Sequence, residues 1–191
     1  MHTIGRFAPS PSGRMHLGNV LCALLAWLSA RRQNGRYLLR IEDLDAMRCP
    51  RRYADLILDD LRWLGLDWDG EVPYQSERAA VYETYEAVLR GKGLLYPCFC
   101  SRAALHAASA PHLSDGRVVY AGTCRGLTAE QAAEKRKTRA PATRVRVPDE
   151  TVSFTDGVFG AYSETLAREC GDFIIRRSDG VFAYQLAVVV D

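Results

Sequence analysis

Residues 6–19 read Arg-Phe-Ala-Pro-Ser-Pro-Ser-Gly-Arg-Met-His-Leu-Gly-Asn, and their types suit phosphate chemistry. The small residues between Ala8 and Gly13 let a ligand approach the backbone closely. A helix opening at His16 or Leu17 would present free N–H groups, which attract anions. His16 could hydrogen-bond a phosphoryl oxygen as charge builds on it. Neither Gly-x-x-x-x-Gly-Lys-Ser/Thr nor Gly-x-Gly-x-x-Gly occurs, so the segment is not a P-loop or a dinucleotide fingerprint. A second cluster is built from thiols. Cys98-Phe99-Cys100 lies upstream of Cys124, with Tyr120 four residues before that cysteine and His106 and His112 in between. Two close cysteines with a distant pair have structural-zinc spacing. Spacing alone favours His106 or His112 as the fourth ligand, because imidazole is a commoner zinc donor than phenol. Cys22, Cys49 and Cys170 have no partner at ligand spacing and read as ordinary thiols.

The elements that must position these residues alternate. Thr3 to Ala8 reads as a strand ending in the breakers Pro9 to Gly13, and His16 or Leu17 to Arg32 as a helix apolar on nearly all sides, expected to be buried. Arg36 to Ile41 is a second strand leading into Glu42-Asp43-Leu44-Asp45. Pro50 suits a first helical turn, Tyr53, Leu56, Ile57, Leu61 and Leu64 recur at helical spacing, and Gly65 closes that helix. Glu77 to Arg90 repeats the theme. This strand–helix–strand–helix series predicts an α/β layer with a parallel sheet. Residues 97–141 break the alternation and read as an insertion, with a polar helix starting near Thr128 where Thr128 and Gln131 match a capping box. Thr143 to Val147 alternates as a strand that Thr151 to Phe154 could pair with. Phe173 to Arg176 and Val181 to Tyr184 flank an Asp179-Gly180 turn. Periodicity assigns the apolar run Gln185 to Val190 to neither helix nor strand.

The chain has 191 residues, 48% hydrophobic and 25% charged, with 25 Lys+Arg against 23 Asp+Glu. That size fits one domain with a sizeable insertion and a core that needs no disulfide. The apolar fraction excludes a disordered or acidic-tail protein. No run of about 18 apolar residues is present, so no membrane span is expected. Met1 to Arg6 lack a basic region followed by an apolar one, which makes a cytoplasmic location the expectation. All but three of the basic residues are arginine, the exceptions being Lys92, Lys135 and Lys137. Arginine suits phosphate and carboxylate recognition, although GC-rich coding would give the same bias.

The string from Arg6 to Asn19 resembles the first signature, the HIGH motif, of class I aminoacyl-tRNA synthetases, and specifically the glutamyl branch. The resemblance continues through Arg40 to Asp45, Leu61 to Asp69, Tyr74 to Arg78, Gly171 to Gly180 and Phe182 to Asp191, in the family's order. It is closest to the branch's short paralogues, which lack an anticodon-binding domain and transfer glutamate to the queuosine base of tRNA(Asp). These use Cys-x-Cys followed by Tyr-x-x-x-Cys, which maps here to Cys98, Cys100, Tyr120 and Cys124. Ordinary zinc-bearing glutamyl synthetases end in Cys-x-His, whereas Cys124 is followed by Arg125 and Gly126.

The resemblance implies a Rossmann-like (HUP-type) parallel sheet in residues 1–96, an inserted zinc-binding subdomain in residues 97–141 and a return into the catalytic domain in residues 142–191. It implies His16, Gly18 and Asn19 as catalytic residues, and Pro9, Ser10, His16, Leu17, Gly18 and Asn19 as the ATP site. L-glutamate would be held by Arg6, Phe7, Ala8, Pro9, Ser10, Glu42 and Tyr184. Chemically, Arg6 can fork onto a carboxylate, Glu42 suits an ammonium and Tyr184 can donate its hydroxyl. Blander alternatives are an Arg6–Asp43 pair, a solvated acidic turn around Glu42, and a core role for Tyr184. Expected partners are ATP with Mg²⁺, L-glutamate and tRNA(Asp) carrying queuosine, with one structural Zn²⁺, in a monomer away from membranes. Two departures stand out: Asn19 replaces the second histidine of HIGH, and the KMSKS-like lysine signature does not occur, so the 191 residues alone are expected to be inactive. Alternative functions are the catalytic part of an ordinary glutamyl-tRNA synthetase, or a non-catalytic zinc-containing module that binds tRNA or glutamate.

Overall fold

The computed structural model describes residues 3–101 and 119–191, in two compact units, residues 1–81 and 82–191. In the first, β1 (Ile4–Phe7) runs parallel to β2 (Arg36–Leu39), with Ile4 opposite Arg36 and Phe7 opposite Leu39. The crossover between them is α1 (Leu17–Arg31). That helix is not buried as its composition suggests. Leu17, Leu21, Leu24, Leu25 and Leu28 are exposed, and only Ala23 and Ala30 are fully covered. The reason is close packing through small residues. A Cβ on Gly5 would meet the Ala26 carbonyl at 2.7 Å and Ala30 Cβ at 3.0 Å, so the alanine face of α1 lies directly on β1 and turns the leucines outward.

Helix α2 (Arg51–Trp63) starts after an extended Pro50 and buries Ala54, Ile57 and Leu61, one stripe at helical spacing. Gly65, at φ +73°, ends it in the left-handed conformation that a glycine C-cap needs. Phe7, Tyr37, Leu39, Ile57, Leu61 and Leu66 form the core. Tyr37 donates its hydroxyl to the Ala23 carbonyl at 3.2 Å, and burial pushes its pKa up to about 12. The helix–sheet edge is fastened by Arg31, whose guanidinium pairs with Asp69 at 2.7 Å and Asp67 at 3.2 Å. Trp27 Nε1 also donates to Asp67 at 2.7 Å.

The second unit holds most of α3 (Ala79–Gly91) and an antiparallel sheet in the order β3 (Leu95–Cys98), β4 (Ala142–Val145), β7 (Ile174–Arg176). The parallel pairing expected from the alternation is thus confined, among the described strands, to β1 and β2. Residues 151–154 do not pair with β4. Instead β5 (Thr151–Asp156) and β6 (Gly160–Thr165) form their own hairpin, closed across the strands by Thr151–Thr165 and Ser153–Ser163 hydroxyl contacts. Helix α4 (Ala129–Arg136) has the capping box read from the sequence, with Thr128 Oγ1 and Gln131 Oε1 each accepting the other's backbone N–H. After the short α5 (Leu166–Glu169), β7 turns at Gly180 to a single bridge between Arg176 and Phe182. The ambiguous run then resolves as α6 (Tyr184–Val190). Among the described residues no helix is long and apolar enough to cross a membrane.

Candidate functional site

In the first unit the site is made mainly of backbone. β1 ends at the buried Phe7, whose carbonyl accepts from Arg40 N at 3.1 Å, while the Pro9 carbonyl accepts from Glu42 N at 2.9 Å. The loop after β1 is thereby tied to the end of β2. Pro11 is fully buried, and Ser10 stays exposed.

His16 is the N-cap of α1. Its backbone is extended, and its Nδ1 accepts from Gly18 N at 3.1 Å. Asn19 Oδ1 accepts in return from His16 N at 3.2 Å, completing a capping box in which a histidine and an asparagine play the usual Ser/Thr and Glu/Gln parts. With Nδ1 committed as an acceptor, the remaining proton of a neutral imidazole sits on Nε2. The ring lies over Gly18, where a Cβ would meet His16 Cε1 at 2.9 Å and Nδ1 at 3.0 Å, so only glycine fits without moving it. Next to the cap is a small cavity of about 160 Å³ lined by Pro9, Ser10, Ser12, Gly13, Arg14, His16 and Asn19 among others. Its polar lining is rich in donors and includes one arginine, a surrounding that suits an anion.

Arg6 is exposed on β1. Its alternative partner Asp43 is engaged elsewhere, accepting from Ser76 N at 2.9 Å and Ser76 Oγ at 2.7 Å. Glu42 Oε1 accepts from the buried Arg40 at 2.7 Å, a pair the sequence did not suggest. Tyr184 opens α6 in the second unit and is 56% exposed, which removes the core alternative for it.

In the second unit three sulfurs converge. Cys98, Cys100 and Cys124 Sγ lie within 4.8 Å of one another, a grouping able to hold a metal ion. Cys98 ends β3, and the Tyr120–Cys124 loop comes to it beside a parallel bridge between Tyr120 and Gly171. The Tyr120 hydroxyl oxygen accepts from Cys124 N at 2.8 Å and lies 3.5 Å from Cys98 Sγ and 3.7 Å from Cys100 Sγ. Cys100 and Cys124 sulfurs are 3.7 Å apart. A tetrahedral zinc with bonds of about 2.3 Å to sulfur requires ligand–ligand separations of roughly 3.8 Å. The donor set therefore fits such an ion with Tyr120 as the fourth ligand. His106 and His112, the candidates from spacing, lie outside the described residues.

Electrostatics differ across the cluster. Burial opposes ionisation of Cys98, but the Tyr120 hydroxyl, the Cys100 N–H and the Arg144 guanidinium outweigh it and hold that thiol below its ordinary range. Burial, and then the neighbouring thiols, push Cys100 up to about 11 and raise Tyr120 well above the usual phenol range. Around the sulfurs lies a polar frame that sequence reading missed. Asp172, almost wholly buried, accepts from Tyr96 OH at 2.6 Å and Val147 N at 2.8 Å. Its carbonyl accepts from Arg144 Nη1 at 2.5 Å. No sequence signal marks Arg144. In the alternation Thr143-Arg144-Val145-Arg146-Val147 the valines claim the inward face, yet Arg144 is buried.

The chain belongs to the class I synthetases for glutamate and glutamine: the family model described as tRNA synthetases class I (E and Q), catalytic domain, matches residues 3–191. It is 50% identical to the glutamyl-Q tRNA(Asp) synthetases of Nitratidesulfovibrio vulgaris and of Symbiobacterium thermophilum, in each case over 98% of this chain and 61% of that protein. The chain thus spans about three-fifths of the length of these curated relatives. Among solved structures, a glutamate tRNA ligase from Elizabethkingia meningosepticum in complex with its amino acid superposes with a TM-score of 0.82. It is 28% identical and matches 100% of this chain and 41% of that one. The glutamate-tRNA synthetase of Elizabethkingia anophelis gives 0.83 at the same identity, with 42% of its length covered.

Proposed function

We propose that the protein activates L-glutamate with ATP and transfers it to the queuosine base of tRNA(Asp). The observation that carries this reading is the His16–Asn19 cap beside its small donor-rich cavity, in a chain half-identical to glutamyl-Q tRNA(Asp) synthetases. Glutamate lies with its side-chain carboxylate toward Arg6 and its ammonium toward Glu42, with Ser10 and the Ala8 backbone at the amino-acid head. Phe7 and Pro9 shape that floor. ATP, entering as its Mg²⁺ complex, sets its phosphates against the α1 N-terminus, between Pro9, Ser10, His16, Leu17, Gly18 and Asn19.

The glutamate α-carboxylate then attacks the α-phosphorus in line, and pyrophosphate leaves. His16 Nε2–H and the positive end of the α1 dipole stabilise the charge gathering on the phosphoryl oxygens. A hydroxyl of the queuosine base attacks the resulting mixed anhydride, takes the glutamyl group and releases AMP. No covalent enzyme intermediate is needed, since positioning and electrostatics carry the rate.

Residues 97–141 form an inserted excursion in this catalytic fold; the pairing of Cys98 with Ala142 brings its two ends together and supports that division. A zinc ion held by Cys98, Cys100, Tyr120 and Cys124 would act as a cross-link between the β3 end and the 120–124 loop, not as a reagent. The deciding experiment supplies the full-length protein with ATP, labelled glutamate and either tRNA(Asp), with or without queuosine, or tRNA(Glu). Label is expected only on queuosine-bearing tRNA(Asp). Label on tRNA(Glu) would reassign the protein to ordinary glutamyl-tRNA synthesis. Absence of glutamate-dependent pyrophosphate exchange would sink the activation step itself.

A further inference from the structure

Arg144 carries a buried charge with no carboxylate partner among the described residues, and its guanidinium faces Cys98 and Tyr120. The residue is 5% exposed, and its Nε is buried without a hydrogen-bond partner. Its Nη1 donates to a carbonyl, that of Asp172, and no ion pair joins it to a carboxylate among the described residues. The Asp172 carboxylate is taken up by Tyr96, Val147 N and Arg125, the last at 3.4 Å. A buried guanidinium without an anion is costly, and proteins normally supply one. The nearest chemistry is the thiol cluster: the Arg144 guanidinium carbon stands 3.7 Å over the centre of the Tyr120 ring.

Charge arithmetic supplies the missing anion. Zinc bound by three thiolates and a phenol has a net charge of −1, held among Cys98 and Cys124, which are at least as buried as Arg144. We propose that Arg144 is the counter-charge of the metal-loaded Cys98–Cys100–Tyr120–Cys124 cluster, and the positioning residue that ties the cluster to Asp172 and so to β7. The guanidinium covers one face of Tyr120 and fixes the ring whose oxygen faces the sulfurs. Through its fork it also holds the Asp172 backbone, two residues before β7 begins. This inference rests on the zinc reading above. It differs from an ordinary packing role because it makes the importance of Arg144 depend on the metal.

The test uses the full-length protein as wild type, Arg144→Met and Arg144→Lys, each prepared with and without zinc. Zinc affinity is read by competition with a chromophoric chelator and stability by thermal melting. Loss of a partner group that orients a metal ligand typically costs about 10–100-fold in affinity, and Arg144→Met is expected in that range. Arg144→Lys, keeping the charge but not the fork, should lose less. The rise in melting temperature that zinc gives the wild type should shrink in Arg144→Met, whereas a purely structural arginine would lower the zinc-free and zinc-loaded forms alike. In cobalt-substituted protein the ligand-field bands should shift in Arg144→Met if the Tyr120 ring loses its place. Equal zinc affinity in wild type and both variants overturns the inference and leaves the metal site standing. A reduced wild type that takes up no zinc overturns the metal site and the inference together. Should Arg144→Met fail to fold, the Arg144→Lys affinity decides, and a wild-type value there overturns the proposal.

Discussion

The two candidate sites of this chain are built by opposite means. At the end of β1 the chemistry is presented by backbone, with a loop of small residues, a helix start and a histidine whose ring is locked by the N–H it caps. In the second unit side chains converge from β3 and the 120–124 loop, and the backbone serves mainly to bring them together. A backbone site tolerates exposure because its donors are fixed by helix geometry. A side-chain cluster requires burial and a polar frame, supplied here by Tyr96, Arg144 and Asp172. One site should fail when its glycine or its cap is disturbed, the other when a single ligand is removed.

The largest effect expected is at the cluster. Cys98→Ser should abolish the binding of one equivalent of zinc, read by metal analysis of the purified protein, and unchanged metal content would erase the contrast. Next in size, Arg6→Ala should weaken glutamate by about 1.5–3 kcal/mol, the range for a hydrogen bond to a charged group, with little change for ATP. Isothermal titration with each ligand separates the two. Smaller again, Gly18→Ala forces a Cβ to within 2.9 Å of the His16 ring. Displacing the cap should cost about 1 kcal/mol of stability and slow pyrophosphate exchange more than it raises the KM for glutamate.

The smallest effect concerns pH. The Tyr37 N–H, and then Arg31, hold the Asp69 carboxyl below the ordinary carboxylate range. A carboxylate with a depressed folded-state pKa adds stability above its unfolded value, about 3.9. That stability is lost as pH falls through the depressed value. Asp69→Asn should therefore flatten the acid limb of stability below about pH 4, read by thermal melting across a pH series.

Much of this was legible in the sequence because it depends on local rules. Pro50 and Gly65 bracket α2, Thr128 and Gln131 cap α4, and the breakers Pro9 to Gly13 mark the loop between β1 and α1. What was not legible depends on tertiary neighbours. The leucines of α1 read as core, but Gly5 lets the alanine face approach so closely that they point outward. Residues 151–154 had an attractive partner in β4, yet both edges of β4 are taken by β3 and β7, and the segment pairs with residues 160–165 instead. The Glu42–Arg40 pair and the burial of Arg144 follow from which sheet face is covered, and alternation alone does not report that.

The pairing of Cys98 with Ala142 also bears on how the second unit acquires its fold. Closing the chain between those residues costs roughly 3.3 kcal/mol in lost freedom on a (3/2)RT ln n estimate, and closing Cys100 to Tyr120 costs roughly 2.7 kcal/mol. The smaller loop lies inside the larger one, so forming either shortens the other's search. An ion captured early by the flanking thiols would act as a nucleus for strand pairing, and the order in which the two loops close would then depend on how much zinc is at hand.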